Sequence, residues 1–195
     1  MRALKDLSRE EKELLRASAK SLEGNIADIG CRILEMIFEQ TPCIKKLFHF
    51  STADDEAYRR SEMRQLAQKY MQALLTVVED VEDPSALGSI TTKLATVHCE
   101  IDSYWGAFIE CTIYHIRHHL EKDESFADVC KLDAVTVLWR TVMRDVTRKM
   151  RATFIKEINI IDAMSQQESE LPVKCPKIQN MHQSGYKVQA APPQR

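Results

Sequence analysis

Turn-forming residues are scarce in this chain. Five glycines and six prolines serve 195 residues, and between Pro42 and Pro172 the only proline is Pro84. A sheet protein would need turn signals about every 8–12 residues. The interior therefore reads as long helices, and the fold class as all-α. Long apolar runs are also missing: the stretch Met71 to Val78 falls far short of the roughly 20 residues of a membrane span, so no transmembrane segment is expected. Charge is balanced, with 27 Lys and Arg against 29 Asp and Glu, a net −2 and a pI near 6.3. Bulk electrostatics thus gives no reason to expect a nucleic acid partner.

Other signatures are missing too. The six cysteines (Cys31, Cys43, Cys99, Cys111, Cys130, Cys175) include no C-x-x-C pair, so they read as small buried residues or idle thiols of a reducing compartment. The opening Met-Arg-Ala-Leu-Lys-Asp turns charged at once and has no glycine at position 2. Neither a secretory signal nor myristoylation is expected, and the location reads as cytoplasmic. No P-loop, G-x-G-x-x-G, G-x-S-x-G or H-E-x-x-H occurs.

What is present is a series of amphipathic periods. Hydrophobic residues make up 44% and charged residues 29%, the balance of a soluble globular protein. Ser8 with Glu11 has the form of a capping box, and the helix behind it shows Leu15, Ala19 and Leu22 on one face. A second helix, about 25–40, turns Ile26, Ile29, Ile33, Leu34, Ile37 and Phe38 inward and stops at Thr41-Pro42. After a polar corner at 51–56, Met63, Leu66, Ala67, Tyr70, Met71, Leu74, Val77 and Val78 repeat at helical spacing. Asp83-Pro84-Ser85 breaks that helix and caps another, with Leu87, Ile90, Leu94, Val97 and Ile101 inward. Two longer helices follow, about 104–121 and 126–158, the last presenting Val135, Leu138, Trp139, Val142, Met143, Val146, Met150 and Phe154. These elements make one domain over 1–160. Residues 161–195, rich in Gln, Ser, Pro and Lys, read as a disordered polar tail.

The residue that stands out chemically is His98, on an apolar helix face between Leu94 and Ile101. A histidine there is ordinarily a satisfied core residue, but its surroundings carry more. The string Thr41-Pro42-Cys43-Ile44-Lys45-Lys46-Leu47-Phe48-His49-Phe50 closely resembles the second-helix-to-corner segment of globins. So does Val81-Glu82-Asp83-Pro84-Ser85-Ala86-Leu87 running on to Leu94-Ala95-Thr96-Val97-His98. The opening Leu7-Ser8-x-x-Glu11-Lys12-x-Leu14-Leu15 and the late Leu138-Trp139 fit too. The resemblance covers about 7–158 and is closest to neuroglobin-like and invertebrate, nematode-type globins.

The resemblance implies a globin fold of about eight helices around a haem pocket. His98 matches the iron ligand of haem b, with its other N–H turned to the Leu94 carbonyl, and Phe48 the aromatic residue on the haem face. Gly30 and Ala67 match the small residues where the second and fifth globin helices cross. That register puts Leu34, Leu66 and Tyr70 on the distal side, and a one-residue slip would put Gln65 there instead. Lys69 is placed to pair with a haem propionate or to be a plain surface lysine. Tyr104, Trp105 and Phe108 fall on the rim or in the core. The family's usual first-helix tryptophan is replaced by Ala19, which implies repacking.

The implied function is reversible binding of a diatomic gas (oxygen, nitric oxide or carbon monoxide), as a local oxygen binder or a gas or redox sensor. Leu66 cannot donate a hydrogen bond to a ligand, and Tyr70 either donates one or narrows the pocket. Two other readings stay open: a haem enzyme (nitric oxide dioxygenase or weak peroxidase) served by a separate reductase, and a haem-free interaction module. Oligomeric state is not legible. His115, His118 and His119 have i, i+3, i+4 spacing that metal sites also use, and Arg140, Arg144, Arg148 and Arg151 form a stripe that reads as a solvated face or a docking surface for an acidic partner or lipid headgroups.

Overall fold

The computed structural model describes residues 3–45, 56–82 and 104–170, and all regular structure among them is helical. Six α-helices are seen: α1 (Arg9–Leu22), α2 (Ile26–Gln40), the short α3 (Pro42–Lys45), α4 (Glu56–Glu79), α5 (Trp105–Leu120) and α6 (Val129–Glu170). The corner expected at 51–56 is described only at Glu56. The helix expected to carry Leu87 to Ile101, with His98 on it, lies outside the described residues, and so does Phe48. None of the described helices is long and apolar enough to cross a membrane.

Local chemistry accounts for the helix ends. The capping box forms as its spacing predicts: the Glu11 amide donates to Ser8 Oγ at 3.2 Å and the Ser8 amide to Glu11 Oε2 at 2.7 Å. At the end of α2 the Thr41 amide still reaches the Ile37 carbonyl (2.8 Å), and Pro42, which has no amide hydrogen to lose, opens α3. A 3₁₀ turn, Glu124–Phe126, starts the approach to α6, and Phe126 is buried. Asp123 holds this corner. One carboxylate oxygen accepts from the Ser125 amide and hydroxyl (2.9 and 2.6 Å), the other from Ser21 Oγ at the end of α1 (2.5 Å). Those bonds favour the carboxylate and pull the Asp123 pKa down to about 2.

Contacts divide the chain into Met1–Asn159 and Ile160–Arg195. In the second unit the described residues are the helical turns ending at Glu170. Helix α6 thus runs past Ile158, where the apolar periodicity fades, because a backbone ladder needs no buried side chain to continue for a few turns.

Within the first unit, α2 packs on both α4 and α5, and α1 on the same two helices. The α2–α4 crossing is the tightest point. A Cβ on Gly30 would lie 2.6 Å from the Ala67 carbonyl oxygen and 3.0 Å from Met71 Cγ. Glycine costs a helix interior roughly 0.5–1 kcal/mol relative to alanine, and this approach is what that cost allows. The core around it includes Leu15, Leu22, Ile33, Leu34, Ile37, Met71, Val78, Ile116 and Trp139, all at most 1% exposed.

Trp139 of α6 is anchored on α1. Fully buried, it donates Nε1–H to Ser18 Oγ (2.9 Å), and the Ser18 hydroxyl donates in turn to the Leu15 carbonyl (2.7 Å). Ser18 thus satisfies the N–H of an indole from α6. Asp145, also buried on α6, accepts from the Leu4 amide (3.3 Å) and pairs with Arg148, fastening the amino-terminal turn to the last helix. Two arginines of the α6 stripe are thereby engaged within the chain, since Arg140 pairs with Glu110 at 2.8 Å.

Two stability predictions follow from this packing. Gly30→Ala should lose about 1–3 kcal/mol, because a backbone carbonyl cannot step aside as a flexible side chain can; chemical denaturation measures it. Ser18→Ala should cost about 1–3 kcal/mol by stranding the Trp139 N–H, and pairing it with Trp139→Phe, which removes the stranded donor, should show strong non-additivity in the same assay.

Candidate functional site

Helix α4 carries the candidate distal residues. With the Gly30–Ala67 contact fixing the register, Ala67 faces α2 and is fully buried. Leu66, one residue before it, is half-buried and packs on the core, as does Tyr70 one turn on. Leu34 on α2 is 1% exposed. Gln65 and Lys69 are both exposed.

Tyr70 meets α5 twice. Its ring stands edge-on to Phe108, centroids 6.2 Å apart, and Phe108 in turn lies 5.7 Å from Trp105. Its hydroxyl sits 2.6 Å from Thr112 Oγ1, and either oxygen can be the donor. Burial disfavours the phenolate and raises the Tyr70 pKa well above that of a free tyrosine, even though the Thr112 bond acts the other way. Tyr70 is therefore a neutral hydroxyl under any physiological condition. At the start of α5, Tyr104 OH lies 3.3 Å from Cys43 Sγ, and that contact raises its pKa.

Behind Tyr70 opens a small cavity of about 30 Å³. Its walls come from three helices: Tyr70, Leu74 and Val77 from α4, Trp105 and Phe108 from α5, and Met143, Val146, Thr147 and Met150 from α6. One polar atom is out of place there. Thr147 Oγ1 is buried with no hydrogen-bond partner among the described residues, and such an atom in a close-packed core is normally satisfied.

The structure thus brings Tyr70 and Phe108 to one cavity with Trp105, keeps Leu34 and Leu66 in the adjoining core, and leaves Lys69 on the surface. His98, Leu94 and Phe48 lie outside the described residues. Several lining residues were read in sequence only as core: Leu74 and Val77 follow Tyr70 at four and seven residues, and Met143, Val146 and Met150 share one face of α6. The signal missed was Thr147, a hydroxyl four residues after Met143 on that apolar face. Thr112, four residues after Phe108, is likewise a polar residue on an apolar stripe.

Comparison with known proteins gives the chain its relatives. Cytoglobin-2 of Oryzias latipes is 30% identical over 95 residues, covering 47% of this chain and 53% of that protein. Cytoglobin-2 of Danio rerio is 28% identical over 91 residues, covering 45% and 51%. The chain thus spans about half the length of these curated relatives. The globin family model matches residues 31–142, more than half of the chain and the segment that holds the α2–α4 crossing and the aromatic wall of α5; this chain belongs to the globin family.

Proposed function

We propose that this globin holds haem b against the cavity behind Tyr70, with its iron ligated by His98, and reversibly binds a diatomic gas. The reading makes it a local oxygen binder or a gas or redox sensor of the cytoplasm. Its main support is the globin family match over residues 31–142, and the Gly30–Ala67 contact is the close helix crossing that the resemblance implies. The walls suit the group: aliphatic and thioether side chains from α4 and α6 and two aromatic rings from α5 match a flat, largely apolar macrocycle. When bound, the haem supplies an iron that can coordinate a small gas molecule.

The chain's own residues tune that binding. His98 must be neutral to ligate, and a carbonyl one turn back, at Leu94, is the acceptor that would fix its tautomer. Leu66 and Leu34 exclude water and offer no hydrogen bond. Tyr70 is the polar group of the distal wall. The Tyr70–Thr112 pair holds two hydroxyl protons and shares one bond, so one proton is left over. Tyr70 lines the cavity and Thr112 does not; with Thr112 as donor, the spare proton is Tyr70's and is available to a gas ligand. Burial keeps that proton on the oxygen across the whole working pH range.

His98→Ala should abolish the axial imidazole signature in resonance Raman spectra of the haem-reconstituted protein, and an unchanged spectrum would remove His98 as the ligand. Tyr70→Phe should speed oxygen dissociation about 10- to 150-fold, the worth of one hydrogen bond to a partly charged acceptor. Thr112→Val should shift the same rate by less, since it disturbs only the orientation of the donor. Stopped-flow rates unchanged in Tyr70→Phe would reduce that residue to wall packing.

A further inference from the structure

The three histidines of α5 line a second concavity, away from the cavity just described. Its walls are Ile29 and Arg32 of α2, His115, His118 and His119 of α5, and Lys122 just beyond, around a small hollow of about 30 Å³ that is open to solvent. Two observations give it a chemical sense. His115 Nε2 is buried there with no hydrogen-bond partner among the described residues, although an imidazole nitrogen is costly to bury unpaired. Arg32 and Lys122 converge on the same concavity, and neither makes an ion pair with a described residue.

A metal ion does not fit. Among the described residues no group of histidine, cysteine and carboxylate side chains is placed to hold one. The histidines are also already divided. His119 Nε2 donates to the Ser21 carbonyl at 3.1 Å, and His118 Nδ1 faces Glu121 at 3.7 Å. A guanidinium and an ammonium beside them would repel a cation.

We propose that this concavity binds a tetrahedral oxyanion of the phosphate–sulfate class, held by Arg32, Lys122 and His118 over the buried Nε2 of His115. The guanidinium fork of Arg32 suits such an oxyanion's paired oxygens. Lys122 adds a point charge, and His115 supplies a fixed N–H at the floor. Tyr114 stacks on His118 (6.2 Å, 8° between planes) and meets His115 edge-on (5.0 Å), which orients both rings.

The site carries its own pH response. The charged groups around it are Arg32 from α2, the three histidines from α5, and Lys122, Glu121 and Asp123 beyond the end of α5; from α1, Ser21 meets His119 through its carbonyl and Asp123 through its hydroxyl. Both acids are occupied, Glu121 with Arg117 at 3.2 Å and Asp123 with Ser125 and Ser21. Burial, then Arg32 and His118, lower the His115 pKa, so without an anion His115 stays neutral. A bound dianion reverses that balance and favours the imidazolium. Linkage then requires proton uptake on binding and an affinity that rises as pH falls.

The test is titration of the full chain with sulfate, a dianion throughout the histidine range, followed by calorimetry and by NMR of the imidazole rings. Expected are saturable shifts of the His115 and His118 resonances, binding several-fold tighter at about pH 6 than at about pH 8, and a raised His115 pKa in the complex. Arg32→Gln and Lys122→Gln, both at exposed positions, should each weaken binding about tenfold or more while leaving the circular dichroism unchanged. Inorganic phosphate should compete with sulfate, and chloride at equal ionic strength should not. No saturable shift, wild-type affinity in the double variant, or saturable zinc binding without sulfate binding would each overturn the proposal.

Discussion

The architecture hangs on how closely two helices approach at one residue. At Gly30 the backbone of α2 comes so near Ala67 that a single methyl group would overlap a carbonyl oxygen. That contact fixes both the separation and the rotation of α4 about its axis. A helix rotates about 100° per residue, so a slip of one position would turn Leu66 and Tyr70 away from the side they share. The face of α4 that carries Leu66 and Tyr70 is therefore set by a packing constraint at the neighbouring residue, Ala67.

Around that crossing the buried polar groups come in pairs. Trp139 of α6 is fully buried, and its N–H is satisfied by Ser18 of α1. On α4 the polar group is Tyr70, one turn after Leu66, and Thr112 on the facing helix gives the phenol a fixed partner. Each residue is intelligible only with its companion, because a buried donor without an acceptor is costly.

The polar atoms left over in the core sort by location. Thr147 lies in the wall of the apolar cavity, and His115 at the floor of the basic one. Neither concavity is one sequence face: the first takes side chains from α4, α5 and α6, the second from α2, α5 and the turn beyond it. In both, the unpaired atom marks the side on which a binding partner would complete the hydrogen bonding.

Local rules were enough for much of the fold. Ser8 and Glu11 announced the capping box, Thr41-Pro42 the end of α2, and the three- and four-residue spacing of Leu66, Tyr70, Leu74 and Val77 the buried face of α4. These were legible because they are decided within one or two turns of chain. The end of α6 was misread at Ile158, since periodicity reports burial and the backbone ladder runs on without it to Glu170. What no single segment could reveal was partnership across distance: that Trp139 would reach Ser18, that Tyr70 would be tied to Thr112, and that Arg32 would stand with His115 over a basic hollow. Sequence pattern decides which face of a helix avoids water. Only the packed structure decides which atom on that face meets which, because hydrogen bonds and close contacts depend on distances set jointly by several helices.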